Sequence, residues 1–475
     1  MLFHSTEFLV MFAIVLFLYY LLPRYRAYTL GAANVLFYAV TGWGMLALFL
    51  AVTVFTFIGT RLIESGRRKR FWLFVTVGGN LFNLAFFKYS VFLLEALEHT
   101  AGIRLVSEDS FVQNIVLPVG ISFYTFQLIA YTVDVARGYI PACRSLLHFW
   151  VFISLFAHLI AGPIMRGKEF MPQIEGMASI RFRLYNFRRG VFWFGLGLFK
   201  KIMIADYLAP IVDGIYAKGT MMSTGEAWTG TYLFAFQVLM DFSAYSEMAL
   251  GLGYMLGMKL ALNFKSPYIS QNPSELWTRW HITLSSWIRD YVYIPLGGNR
   301  KGKIRTYFNL WLAMTLSGLW HGASWTFVLW GAYHGLLLIG YRLVKKPLQA
   351  VADKLSIPKA ARVVVAVFAM FHLVCIGWVL FRADNLETAV LLIYKMAHVW
   401  HLRLTDSVLN HLLIFAALYL FHVLEYFAMK KGSKLYGIWF RKIPFPVRSV
   451  AYAAAALFLI VFTRGVENTF IYFQF

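Results

Sequence analysis

The sequence predicts an all-α polytopic integral membrane protein, and three observations predict it. Of 475 residues, 60% are hydrophobic and only 14% are charged, against about 25% charge in an ordinary soluble domain, so most of the surface must be solvated by lipid. Apolar runs of roughly twenty residues recur from end to end, each able to cross a hydrocarbon core about 30 Å thick. The formal charge of +22, from 44 Lys and Arg against 22 Asp and Glu, collects between those runs, as in basic loops facing the anionic lipid bilayer. No nucleic acid partner is expected. With Cys143 and Cys375 the only cysteines, neither a disulfide framework nor a thiolate metal site is expected.

The elements follow in order. Glu7 to Pro23 lacks a basic start and a small-residue cleavage site and reads as a retained span, ending at Arg24 and Arg26. Tyr28 to Val40 and Met45 to Ile58 are joined by uncharged Thr41-Gly42-Trp43-Gly44, and the second runs into Arg61, Arg67, Arg68, Lys69 and Arg70. That cluster belongs in the cytoplasm, which puts the N-terminus on the outside of the membrane. Phe71 to Leu94 crosses outward to Glu95, Glu98, Glu108 and Asp109, opposed only by Arg104, and Phe111 to Val133 returns to Arg137 and Arg144. Leu146 to Pro163 breaks the alternation, because the loop after it (Arg166, Lys168, Arg181, Arg183, Arg188, Arg189) is again basic. Ending in Gly162-Pro163, it reads as a broken or re-entrant segment, tolerated only where it is buried in protein or lines a wet cavity.

Val191 to Tyr216 and Trp228 to Leu256 add a pair of crossings. Residues 258–306 mix Lys259, Lys265, Arg279, Arg289 and Arg300 with Trp277, Trp280, Trp287, Tyr291 and Tyr293, as interfacial or re-entrant helices do. Tyr307 to Gly340 is apolar with basic residues at both ends, so two spans joined near Gly318 to Gly322 are expected, with His321 at the tip of the hairpin or at a kink. Runs around 361–380, 408–428 and 449–463 bring the expectation to about eleven or twelve crossings plus re-entrant pieces. No linker, low-complexity tract or fixed repeat separates a second domain. Residues 1–475 read as one membrane domain, with a core near 110–345 and C-terminal spans near 361–463.

An ionisable side chain inside a membrane costs about 2.5–3.5 kcal/mol on insertion scales, so each one is a functional candidate. Of twelve histidines, His4, His99, His398, His401 and His411 sit near span ends, where an interfacial ring is ordinary. His148, His158, His372 and His422 lie in apolar runs and are explained by hydrogen bonds to a neighbouring helix; His158, beside Gly162-Pro163, is the best candidate of these four. His321 differs, because Gly318 and Gly322 let another group approach it closely. His281 comes next, in Trp277-Thr-Arg-Trp-His281-Ile-Thr-Leu284. On one helix Trp277, Trp280, His281 and Leu284 share a face while Arg279 points elsewhere; an amphipathic interfacial helix with an incidental histidine fits equally.

Asp241-Phe-Ser-Ala-Tyr245-Ser-Glu247 puts carboxylates and hydroxyls inside a span. Asp241 and Tyr245, one helical turn apart, would form a polar wall facing the interior, or belong to an interhelical hydrogen-bond cluster. Gly251, Gly253 and Gly257 depart from a nucleotide-loop spacing and fit close helix packing. No G-x-S-x-G, H-E-x-x-H or Walker loop occurs, which disfavours serine hydrolases, zincins and ATPases. Membrane histidines over a basic cytoplasmic face suit acyl transfer, in which a neutral base takes the proton of a hydroxyl attacking a thioester and a water-poor site suppresses hydrolysis. Composition alone does not choose this reaction. A glycan transporter or flippase would use the same broken helices and basic vestibule, although it should carry internal repeats and none is seen; a scaffold for an envelope synthase is the third reading.

The motifs themselves carry a resemblance. Leu117-Pro-Val-Gly-Ile-Ser-Phe-Tyr, His158-Leu-Ile-Ala-Gly-Pro-Ile, the Asp241 segment, Asn263-Phe-Lys-Ser-Pro-Tyr-Ile-Ser, Leu276-Trp-Thr-Arg-Trp-His281-Ile-Thr-Leu-Ser-Ser-Trp-Ile-Arg289-Asp-Tyr, Pro295-Leu-Gly-Gly-Asn-Arg-Lys-Gly and Gly318-Leu-Trp320-His321-Gly-Ala resemble the membrane-bound O-acyltransferases over roughly residues 1–345, and within them the branch that O-acetylates alginate. The resemblance implies that fold, with His321 as the catalytic histidine and His281 at the family's second polar position, where Asn or His occurs. Asp241, Tyr245, Trp277, Arg279, Trp280, Arg289 and Trp320 are the candidates for holding the donor. It further implies no bound cofactor or metal; acetyl-CoA as donor from the cytosol, though an acylated carrier protein would suit the same basic mouth; and, as acceptor, a periplasmic SGNH-type esterase-like partner or a cell-envelope polysaccharide. Ala244 and Glu247 stand where Gly and Asp are usual in this branch. Relatives acetylate alginate, peptidoglycan or cellulose, or pass D-alanine to teichoic acid, so the polymer is left open.

Overall fold

The computed structural model describes residues 2–102 and 115–462. Arg104, Glu108, Asp109 and the start of the run expected from Phe111 lie outside the described residues. Helices make up the fold, with no strand among the described residues. Five of them are long and apolar enough to cross a membrane: Trp43–Glu64, Lys69–Glu98, Trp325–Lys354, Lys359–Arg382 and Asp406–Lys430. The pair Thr6–Leu21 and Pro23–Ala39, bent by 117°, is a sixth candidate as a broken span or re-entrant loop. Several other apolar runs form shorter helices, such as Ile121–Arg137 (17 residues) and Leu146–Ser154 (9 residues). The chain divides into two compact units, Met1–Gly197 with Tyr245–Leu262, and Leu198–Ala244 with Asn263–Phe475.

In the first unit the bend after Leu21 has a chemical cause. Pro23 opens a short 3-10 turn, and Arg26 is buried, donating to the carbonyls of Tyr19 (2.7 Å), Met177 (2.7 Å) and Ile180 (2.6 Å). One guanidinium thereby satisfies carbonyls that a bent chain would leave bare. Arg26 is thus a structural cation and not part of a lipid-facing basic loop. The segment expected to be broken is so: Leu146–Ser154 ends, Leu155 turns, and Phe156–Leu159 follows. Asn34 repairs the break, donating to Ser154 Oγ (3.0 Å) and accepting from the Phe156 amide (3.1 Å). Buried backbone can leave the helix here because a side chain replaces the lost bonds. A Cβ on Gly251 would lie 2.7 Å from the Gly190 carbonyl oxygen and 2.6 Å from the Phe194 nitrogen, so this glycine serves close helix packing, as its spacing implied.

The second unit begins at Leu198, near the end of the helix Leu184–Phe199, and opens into Lys200–Ala205, one π-helical turn, before Asp206–Tyr216. Such turns are often found at functional sites. Thr224–Met255 follows, contributing its residues up to Ala244 to this unit. Residues 258–301 contain only short helices, among them Pro273–Leu276 and Ile282–Ile288. The expected hairpin is present: Gly302–His321 and Trp325–Lys354, parted by Gly322, Ala323 and the N-cap Ser324.

Candidate functional site

The site grows from the hairpin. A Cβ on Gly318 would fall 2.2 Å from the Phe327 carbonyl oxygen, and one on Gly331 2.4 Å from that of Met314, so the two helices touch through backbone. A Cβ on Gly322 would meet the Phe327 ring at 2.1 Å. This packing fixes the last residue of the first helix, His321, which is 3% exposed. Its imidazole stands nearly perpendicular to three aromatic rings: Trp320 and Trp330, each at 5.0 Å between centroids, and Phe381 at 5.4 Å. The result is an aromatic box around one histidine.

His281 is built differently from the single helical face expected for it. Its backbone is left-handed (φ 39°, ψ 55°) and it caps Ile282–Ile288, so Trp277 and Trp280 precede a break and do not share its helix. The cause is pairing with residues 263–265. Lys265 N–H donates to the Arg279 carbonyl (2.9 Å), Ile282 N–H to the Asn263 carbonyl (3.0 Å), and the Thr283 hydroxyl to Asn263 Oδ1 (2.6 Å). These bonds outcompete helix continuation and hold a non-glycine residue in a region of φ that costs energy, an outlier of the kind concentrated at functional sites. His281 is fully buried, 4.7 Å from the Phe242 ring and 5.7 Å from Trp320. Trp320 therefore touches both histidines.

The remaining candidates separate. Trp280 is buried against Tyr268 (6.1 Å) and Trp378 (4.9 Å), and the half-buried Trp277 packs on Trp330 (5.8 Å). Arg279 pairs with Glu275 (2.8 Å) and the Lys265 carbonyl (3.0 Å), and Arg289 with Asp290 (2.7 Å), its side chain 63% exposed. Asp241 is bound by Lys201 (2.9 Å), which also holds Asp206 (2.9 Å). Tyr245, one turn further on, begins the stretch that belongs to the first unit and packs on Phe3 (5.7 Å). The neighbouring helix bonds expected of apolar-run histidines are present at His372, 2.9 Å from the Tyr232 hydroxyl, and at His422, which accepts from the Tyr268 amide (3.3 Å).

Two features had no reading from sequence. Lys200 and Lys201 are both buried in the π-helical turn, Lys200 pairing with Glu425. Adjacent lysines inside an apolar run were the available signal. The other is His334, buried against Trp330 (4.8 Å) and Trp277 (5.1 Å); nothing in its local sequence marks it.

A family model described as MBOAT, the membrane-bound O-acyltransferase family, matches residues 35–381. The chain is a membrane-bound O-acyltransferase. That membership covers both histidines and the hairpin, and it decides for an enzyme over a glycan carrier. The chain is 45% identical to a probable alginate O-acetylase of Azotobacter vinelandii over 396 residues (82% of this chain, 76% of the relative). It is 43% identical to one of Pseudomonas aeruginosa over 398 residues (82% and 73%). A peptidoglycan O-acetyltransferase of Helicobacter pylori is 32% identical over 503 aligned positions (95% and 92%). As an O-acyltransferase with several helices long and apolar enough to cross a membrane, it is a multi-pass membrane protein.

Proposed function

We propose that this O-acyltransferase takes acetyl groups from cytosolic acetyl-CoA and delivers them across a bacterial inner membrane to acetylate an exported cell-envelope polysaccharide, alginate-like in character. The observation that carries this reading is the position of His321. It ends a helix whose other end is strongly basic: Arg300, Lys301, Lys303 and Arg305 are all exposed. His321 stands 18 residues beyond Lys303, roughly 27 Å at the rise of an α-helix. A polyanionic donor held at the basic end and an imidazole far along the same helix suit a reaction fed from two aqueous sides.

The neutral imidazole of His321 takes the proton of the acceptor hydroxyl as its oxygen attacks the thioester carbonyl; the carbon–sulfur bond then breaks and the proton passes to the leaving thiolate. His281, reached through Trp320, positions the thioester. Burial of both rings among aromatics keeps water from competing for the acyl group. The acceptor is a hydroxyl of an SGNH-type periplasmic partner, which passes the acetyl on, or the polymer itself, and the N-terminus lies on that side. Asp241, tied to Lys201, and Arg279, tied to Glu275, serve the donor site by holding its walls. Peptidoglycan is the second reading for the polymer, supported by the alignment with the Helicobacter pylori enzyme over 95% of this chain.

The test uses purified protein in sealed proteoliposomes, with acetyl-CoA or an acetylated carrier protein outside and a hydroxyl acceptor inside. The proposal expects coenzyme A thiol to appear outside as acetyl ester appears inside, for molecules oriented with the basic loops outward. Turnover of neither donor, or ester formed only on the donor's side, contradicts it.

A further inference from the structure

Trp330 is the hub of a chain of rings that begins at the reacting histidine. Its ring lies 5.0 Å from His321, 6.1 Å from Trp378, 5.8 Å from Trp277 and 4.8 Å from His334. The indole Nε1 atoms of Trp277, Trp330 and Trp378 and Nδ1 of His334 are all buried, and none has a hydrogen-bond partner among the described residues. Trp330 is 1% exposed and Trp378 2%. By contrast, the buried Trp150 donates to the Gly31 carbonyl (3.1 Å) and the half-buried Trp228 to that of Met396 (3.0 Å). A buried N–H left without an acceptor is costly, and three on touching rings beside one imidazole point to a ligand that brings the acceptor. Indole donates and cannot accept, so that ligand presents oxygen lone pairs. These rings bear no formal charge, which suits a carbonyl oxygen better than a phosphate.

We propose that the indole N–H groups of Trp330 and Trp378 bind the carbonyl oxygen of the acyl group being transferred, forming the oxyanion hole of the reaction. Trp330 faces His321 directly, Trp378 stacks on Trp330 at an interplanar angle of 27°, and both rings meet Phe381, which also faces His321. As the acceptor oxygen adds to the thioester carbon, the C=O electron pair moves onto the carbonyl oxygen, and the two N–H groups stabilise that charge. When the C–S bond breaks, the carbonyl re-forms as an ester and the proton held by His321 goes to sulfur. Donors fixed before the reaction and shielded from water are the most effective kind. Trp277 and His334, one ring further from His321, extend the polar strip along the donor's path.

This rests on His321 being the base, so His321→Ala is assayed alongside. Trp330→Phe and Trp378→Phe keep a ring and remove the N–H. Each is expected to lower kcat by about 10²- to 10³-fold, the usual effect of removing one oxyanion donor, with KM for acetyl-CoA little changed. Infrared spectra of acetyl-CoA labelled with carbon-13 at the carbonyl, bound to the unmodified protein, test the same contact without any variant, and a lowered carbonyl stretch relative to free acetyl-CoA is expected. An inactive His321→Ala with both Trp→Phe variants turning over at the unmodified rate, or with only KM raised, overturns the indole assignment alone, as does an unshifted stretch. An active His321→Ala overturns the site on which it rests.

Discussion

Gly318 and Gly331 meet backbone to backbone: a Cβ on Gly331 would lie 3.0 Å from the Gly318 Cα, and one on Gly318 2.9 Å from the Gly331 Cα. Only residues without side chains permit this approach, and it sets the end of the helix that carries His321. Gly318→Ala must push the helices apart, since the obstacle is a carbonyl oxygen and not a flexible side chain. Overpacking of this kind costs about 1–3 kcal/mol or more. A lowered melting temperature in detergent and lost acyl transfer are expected. Gly340→Ala, where nothing lies within 4 Å of the added carbon, is expected to leave both unchanged.

The hairpin was legible because parity of basic loops demanded two crossings where one apolar run was visible; Gly318 and Gly322, read as letting another group approach His321, instead admit Phe327 and Gly331 of the second helix. That the run from Leu146 to Pro163 is broken was legible from Gly162-Pro163 and from the basic loop after it, but the place of the break at Leu155 and Asn34, which repairs it, were not. That bond joins residues more than a hundred positions apart, and no local pattern encodes it. His281 was singled out in the sequence, but its conformation was misjudged. Helical spacing from Trp277 to Leu284 was real, yet pairing with residues 263–265 overrode it, and a long-range tie of that sort leaves no periodicity. Trp330 and Trp378 read as ordinary apolar content, because the burial of their N–H groups without an acceptor among the described residues is revealed only by packing.

His281 offers a test in which backbone and side chain can be separated. Asn tolerates left-handed backbone and keeps a polar side chain, Gly tolerates it and has none, and Ala does neither well. His281→Asn is expected to retain the largest share of kcat among the three. His281→Gly should fold as well as the parent and be nearly inactive. Equal activity of the Asn and Gly variants would show that the imidazole position carries no chemistry.

Lys201 holds two carboxylates, the half-buried Asp206 and the buried Asp241, at 2.9 Å each. Removing the cation breaks both ion pairs, and breaking a buried pair in this way costs about 3–5 kcal/mol. Lys201→Met is expected to reduce folded yield and melting temperature sharply. Adding Asp241→Asn to it should recover part of the loss, because one of the two carboxylate charges that faced the cation goes with it. Additive damage in the double variant would show that the triad is not coupled.

The most direct measurement of the central claim is transfer of labelled acetyl from a donor on the basic side of sealed vesicles to a hydroxyl acceptor on the other, for the unmodified protein and for His321→Ala at equal folded amounts. Loss of a positioned general base predicts a fall of about 10²- to 10⁴-fold with the melting temperature retained. Undiminished transfer by His321→Ala would contradict the account.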